Sequence, residues 1–225
     1  MNRDLLKVEW YIRHMISDLQ QRIDSALQDV QLLDHPFYRR WEAGDLRRDE
    51  LTHYAEQYRY FETMLPSFLQ QLSEKLSPGP AKDLIDANLS DEVTPPAHVD
   101  LFELFARFYD ASAESISPAM TGLVDAYAQV LRRGTTSALA GLYAYESQGA
   151  AIADSKAAGL LKHYGANEEA LVFWNEHGSI EGDHAMWTFE ALSSLEVDLD
   201  EVAWATRFIG QAWWAFLDER ELQTA

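Results

Sequence analysis

The sequence predicts an all-α protein, a helical bundle of seven or eight helices, on three observations. Helical periodicity of apolar residues runs through almost the whole chain, no segment alternates apolar and polar residues as a strand does, and the few interruptions are marked by proline or glycine. At 225 residues there is material for one well-buried core and too little for two, so residues 1–225 are read as a single domain. Seven Trp, ten Tyr and ten Phe give that core its bulk.

The elements follow in order. Met1 to about Leu33 reads as one or two helices, His35-Pro36 interrupts the chain and Gly44-Asp45 turns it. Asp49-Glu50 begins a long helix through Tyr54, Tyr58 and Phe61 to about Leu76, because acidic residues favour the first turn. Ser77-Pro78-Gly79-Pro80 is a turn that leaves Pro80 at the first position of a short helix, which runs to about Glu92 and stops at Pro95-Pro96. Further helices span about His98 to Tyr109, Ser117-Pro118 to Gly134, and Thr135 to Tyr164 before Gly165. Asn167 then caps a helix to Leu192, with Glu168 and Glu169 in its first turn. Asp198 or Asp200 caps a last helix carrying Trp204, Trp213 and Trp214, the latter two expected to pack it onto the bundle.

Charge and composition exclude several functions. With 37 acidic and 18 basic residues the formal net charge is -19, which repels phosphate backbones and anionic lipid surfaces, so neither nucleic acid nor membrane is expected as a partner. The absence of cysteine removes disulfides, thiolate metal sites and thiol nucleophiles together, leaving His, Glu and Asp as ligands. No apolar run approaches the ~20 residues of a membrane span, and Met1-Asn2-Arg3-Asp4 leads into a charged helical pattern and not a signal peptide. A cytoplasmic protein is expected, with its oligomeric form open between monomer and homodimer.

His177, Glu181 and His184 are the most informative residues. At about 100° per residue, positions i, i+4 and i+7 fall within an arc of roughly 60°, so one helix aims two imidazoles and a carboxylate at one point. The bare spacing equally describes a solvated polar stripe. Trp174, Met186, Trp187 and Phe189 around it make the helix apolar-rich, and burying imidazole and carboxylate without partners is costly, which a divalent cation remedies. A metal centre in a bundle draws ligands from several helices. Glu146 stands inside the apolar and aromatic run Gly141-Leu142-Tyr143-Ala144-Tyr145, and Glu92 and His98 flank Pro95-Pro96. Each also has a bland reading, as a surface carboxylate or a capping group.

The order Asp91-Glu92, His98, Tyr145-Glu146-Ser147-Gln148 and His177-x-x-x-Glu181-x-x-His184 resembles the haem-oxygenase-like dimetal oxidases. Their fold is shared with thiamin-degrading (TenA-type) and quinone-forming (PqqC-type) enzymes. From about Leu32 to the end the chain is most similar to the CADD-type proteins, through His35-Pro36-Phe37-Tyr38-x-x-Trp41, Asn88-Leu89-x-Asp91-Glu92 and Ile152-Ala153-x-x-Lys156-x-x-Gly159-Leu160. That group is named for a chlamydial death-domain-associating member and implicated in making para-aminobenzoate for folate.

The resemblance implies an O2-dependent oxidase with two metal ions, Fe/Fe or Mn/Fe, held by Glu92, His98, Glu146, His177, Glu181 and His184. It implies that the substrate is part of the protein: Tyr38 supplies the aromatic ring, Lys156 the amino nitrogen, and Tyr145 relays an electron or radical. Two departures stand out. The family pattern has Asp where this chain has Glu181, and the stretch from Glu92 to His98 is one residue shorter. Taken without the resemblance, Tyr38 and Tyr145 read as packed aromatics and Lys156 as a surface lysine.

Geometry adds one expectation. Lys156 lies ten residues beyond Glu146, about 15 Å along a straight helix and about 80° round it, so a kink or widened turn near Gly149 is predicted to bring the two together. Three other functions compete. They are oxidation of an external fatty-acid-like or amino-acid-like small molecule, a metal-free pocket of the TenA or PqqC kind, and a helical interaction module. The lack of cysteine excludes thiol-dependent thiamin hydrolysis, and the acidic balance disfavours a strongly anionic quinone.

Overall fold

Proline or a capping side chain starts several of the helices in the computed structural model, which describes residues 3–222, with side chains from His14 onward. Met1 and Asn2, part of the charged N-terminal segment, lie outside the described residues. The order is α1 (Arg3–Leu27), a 3-10 turn (Leu32–Asp34), α2 (Pro36–Ala43), α3 (Arg48–Lys75), α4 (Pro80–Val93), α5 (His98–Phe108), α6 (Pro118–Arg133), α7 (Thr135–His163), α8 (Glu168–Ser193) and α9 (Leu199–Leu222). No strand occurs among the described residues.

Local chemistry sets these limits. Pro36, Pro80 and Pro118 occupy first-turn positions, where a missing N–H costs no helical hydrogen bond. The His35 ring nitrogen accepts from the Phe37 amide at 3.1 Å, Ser117 Oγ from Met120 at 3.2 Å and Asn167 Oδ1 from Ala170 at 2.9 Å. Asp198, not Asp200, caps α9, accepting from the Asp200 amide at 2.9 Å. The segment expected only to interrupt the chain at His35-Pro36 is itself α2, closed by Gly44 in the left-handed region at φ 84°.

Helix α7 is the hub, packing on α8, α9, α6 and α2. Helix α8 packs on α7, α4 and α5, while α3 lies against α4, α5 and α6. Helices α7 and α8 approach closely: a Cβ on Gly178 would stand 2.5 Å from Asp154 Oδ1. One aromatic-rich core joins all the layers, with Trp41, Trp174 and Trp213 fully buried. Trp213 stacks on Tyr145 at 4.3 Å between ring centroids, and Trp214 meets His35 edge-on at 4.8 Å, so both anchor α9 as expected.

The predicted distortion at Gly149 is corrected. Helix α7 is uninterrupted α-helix from Thr135 to His163, with no widened turn. Glu146 and Lys156 are both buried because α7 is covered by several helices along its length, α8, α9, α6 and α2 among them.

Candidate metal centre

On α8 the buried stripe is apolar at both ends and polar in the middle. Phe173 and Trp174 precede His177, Glu181, His184 and Thr188, and Ala191 and Leu192 follow. The triplet is only 4%, 3% and 1% exposed, which removes the solvated-stripe reading. On α4 the buried positions Ala81, Ile85, Asn88 and Glu92 follow helical spacing, so the last turns deliver an amide and a carboxylate to the same interior. Helix α5 begins with His98, and Glu146 faces inward from α7.

These six side chains meet. His98 Nδ1 lies 2.9 Å from Glu92 Oε2, at ion-pair distance, and the other Glu92 oxygen is 3.8 Å from His184 Nδ1. The His98 ring is 4.7 Å from that of His177 and 6.0 Å from that of His184. His177 Nε2 stands 3.5 Å from Glu181 Oε1. Asn88 Nδ2 donates to Glu146 Oε1 at 2.7 Å. His177 Nδ1 is 3.2 Å from the Phe173 carbonyl, which can only accept, so the proton sits on Nδ1 and Nε2 presents its lone pair inward. Among the described residues no three donors are already drawn to the spacing that a bound ion imposes.

Gly149 has a different role from the one expected of it. A Cβ there would come within 2.6 Å of Glu181 Oε2, so the glycine clears the space that the glutamate carboxylate occupies. The extra methylene relative to aspartate is accommodated across the α7–α8 contact.

The electrostatics suit a cation. Burial, followed by the nearby His98 and His184, holds His177 well below its usual range, and burial also lowers His184, so both imidazoles are neutral. Burial raises Glu146 to about 8, with the nearby Thr188 hydroxyl and the Asn88 hydrogen bond opposing the rise and Glu92 adding to it. Glu181 is pushed well above the carboxylate range by burial and then by Glu146, Glu92 and Glu62. Buried side-chain atoms without an aligned hydrogen-bond partner among the described residues concentrate here: Asn88 Oδ1, His98 Nδ1, Glu146 Oε2, Glu181 Oε2, His184 Nε2, Thr188 Oγ1 and both oxygens of Glu62. Orphans of this kind are rare in proteins, and N/O donors in such number fit hard or borderline divalent ions.

A second buried constellation adjoins the first. Lys156 is 2% exposed, and its Nζ lies 4.6 Å from the centroid of the Tyr38 ring, 5.7 Å from Trp41, 4.8 Å from Tyr54, 4.9 Å from Tyr58 and 4.3 Å from Trp174. It also reaches Tyr54 Oη at 2.5 Å, and that hydroxyl is 3.0 Å from Tyr38 Oη. Burial drives the amine well below its usual range, with Glu62 opposing, and raises the Tyr38 phenol. Trp174 belongs to this cage and His177, three residues on, to the cluster. Tyr145, next to Glu146, meets Tyr58 hydroxyl to hydroxyl at 2.5 Å, linking the two from the other side.

The structure thus brings all nine residues singled out in the sequence into two adjoining interiors, and it separates Lys156 from Glu146. It adds Tyr54, Tyr58, Trp174 and Glu62. The i, i+4, i+8 spacing of Tyr54, Tyr58 and Glu62 was the available signal, since an acid on the apolar face of a helix breaks its pattern.

A family profile described as "iron-containing redox enzyme" matches residues 52–216, most of the chain. The chain belongs to that family. Within this redox family it is similar to "4-aminobenzoate synthase" of Nitrosomonas europaea, 32% identical over 219 residues, 88% of this chain and 89% of that protein. The protein of the same name from Chlamydia muridarum is 29% identical over 216 residues, 92% of each chain. A CADD-like protein of unknown function from Nostoc punctiforme shares the fold at a TM-score of 0.74 and 16% identity, over 92% of this chain and 97% of that one. The fold of this redox family member is therefore the haem-oxygenase-like one shared with CADD-like and TenA-like structures. No helix among the described residues is long and apolar enough to cross a membrane.

Proposed function

We propose that the chain is a dimetal oxidase that uses O2 to make 4-aminobenzoate, drawing the ring from its own Tyr38 and the nitrogen from Lys156. The observation that carries this reading is the neutral, caged Lys156 amine lying 4.6 Å from the centroid of the Tyr38 ring beside the carboxylate–histidine cluster. Glu92, His98, Glu146, His177, Glu181 and His184 would hold the two ions, iron or manganese, whose part is to activate O2. The relatives named 4-aminobenzoate synthase support the product.

The chain's own groups do the rest. Enclosure by five rings keeps water away from Lys156 and its lone pair free, as a nucleophilic amine requires. Tyr54 holds Lys156 and Tyr38 to one hydroxyl, fixing their relative position. In tyrosine the phenol oxygen and Cβ are para to each other, the same relation as the amino and carboxyl groups of 4-aminobenzoate, so the ring carries the right substitution before any chemistry. Tyr145, beside Glu146 and bonded to Tyr58, is suited to pass an electron from the cage toward the centre. Cytoplasmic location and single-domain organisation accompany this proposal.

The test is mass spectrometry after anaerobic loading with Fe(II), or with Mn(II) and Fe(II), and exposure to O2 without added substrate. Wild type should release 4-aminobenzoate and lose mass at Tyr38, and Tyr38→Phe should release none. Product from Tyr38→Phe would sink the self-supplied ring. One observation favours a second reading, oxidation of an external small molecule: a surface cavity of about 340 Å³ lined by Asp91, Thr94, Pro96, Val172 and Ile180 reaches His98. Sustained turnover of an added compound would select it.

A further inference from the structure

We propose that Glu62 is a further carboxylate ligand of the metal centre, supplied from α3 to the ion that Glu92 holds. The inference rests on the dimetal reading and goes beyond it, since all six ligands of that reading lie on α4, α5, α7 and α8.

Helix α3 buries three glutamates, and two have obvious partners. Glu50 is paired with Arg40 at 2.7 Å and accepts from the Arg47 amide at 2.8 Å, and Glu56 accepts from the Ser112 amide and hydroxyl at 3.2 and 3.1 Å. Glu62 is the most deeply buried of the three, at 2% exposure, and neither of its oxygens has an aligned partner. The hydroxyl beside it, that of Tyr58, is shared with Tyr145 and makes no aligned bond to Glu62, and the Lys156 amine donates to Tyr54. A carboxylate buried with both oxygens free is among the costliest polar arrangements a core can contain.

Its neighbours say what it faces. The charges that act on Glu62 are those of Glu92 and, more weakly, Lys156, and Glu62 in turn acts on Glu181, Tyr145, Tyr54 and Tyr58. It therefore stands between the cage and the cluster, aimed at carboxylates that already lack a countercharge. A carboxylate that faces other carboxylates, with the Tyr58 hydroxyl as its nearest donor and no aligned bond to either oxygen, is oriented for a cation. Pro66, four residues on within α3, lacks the N–H that would bond the Glu62 carbonyl, so the helix turn carrying Glu62 is loosened where the side chain enters the site.

Charge balance agrees. Three ligand carboxylates and three neutral imidazoles around two divalent ions leave one positive charge in a dry interior, and a fourth carboxylate cancels it. Glu62 is the unpartnered acid available to do so.

The experiment uses the full-length chain, stripped of metal and titrated anaerobically with Mn(II), with free ion counted by its electron paramagnetic resonance signal. Wild type should bind two ions. Glu62→Gln should keep the first and bind the second about ten-fold or more weakly, and Glu62→Asp should recover part of the loss. Melting of the apo proteins is followed in parallel, and apo Glu62→Gln should be at least as stable as wild type because an uncompensated acid is gone. Two ions bound by Glu62→Gln with wild-type affinity would overturn the assignment while leaving the dimetal reading intact. No ion bound by wild type would overturn both, and unfolding of apo Glu62→Gln would make Glu62 a structural residue.

Discussion

Two buried interiors share α7 and α8, and they differ in what they lack. The aromatic cage is nearly complete: Lys156 has five rings and a hydroxyl around it, each tyrosine hydroxyl facing it is bonded to another, and among the described residues its one orphaned donor is Trp174 Nε1. The carboxylate–histidine cluster is not, for its acids and imidazoles face one another with their lone pairs unclaimed. A core can tolerate the first from protein atoms alone. The second is the arrangement that a cationic partner would relieve most, and on the function proposed above one region holds something external and the other something the chain brings itself.

The largest effect that would sharpen this contrast comes from His177→Ala. It should remove at least one of two bound ions, measured by metal analysis, and abolish O2-dependent product, while the cage stays intact by near-ultraviolet circular dichroism. Next, Lys156→Met should abolish product but leave the ion count at the wild-type value, and it should raise the apo melting temperature by an amount worth about 1–3 kcal/mol, since a buried amine gives way to an apolar chain of similar length. A changed ion count would mean that the two interiors are not separable.

Gly149→Ala comes third. Its Cβ would strike Glu181, costing about 1–3 kcal/mol of stability and weakening the metal site, and adding Glu181→Asp should restore most of both. A double variant no better than the single one would show that the glycine serves the backbone instead. The smallest effect is a pH slope. Glu146, raised in the fold from 4.5 to about 8, contributes stability that is full below about pH 4.5 and is lost as pH rises toward 8. Between pH 6.5 and 8, above the ordinary histidine range, Glu146→Gln should flatten the fall in apo stability by up to one proton, about 1.4 kcal/mol per pH unit, and loaded wild type should not show that fall. An unchanged slope in the variant would mean that Glu146 stays ionised.

How much of this the sequence displayed depended on range. The Asn167 cap, Pro80 at a first turn and the His177–Glu181–His184 face are properties of a few consecutive residues, and all were legible. Helix α2 was not, because eight residues between His35-Pro36 and Gly44 carry too little periodicity to separate a short helix from a turn. Gly149 was noticed for the wrong reason: a backbone property is visible in one residue, whereas an approach by Glu181 depends on how α7 and α8 pack. The same holds for Lys156, whose neighbours Tyr38, Tyr54 and Trp174 come from three other helices. The ligand set emerged chiefly from resemblance, since nothing local to Glu92 or Glu146 distinguishes them from other acids.

Tyr38 is 2% exposed on a helix only eight residues long, its ring against those of Phe37 and Tyr54. If its ring is what departs, the product arises inside a buried compartment, and α2 is the stopper. Removing the ring also severs what pins that stopper, so delivery and loss of the native enclosure become one event. A spent chain would then be a leaky husk that cannot be recharged, and the cell's supply of the compound would be set by how fast ribosomes replace the protein.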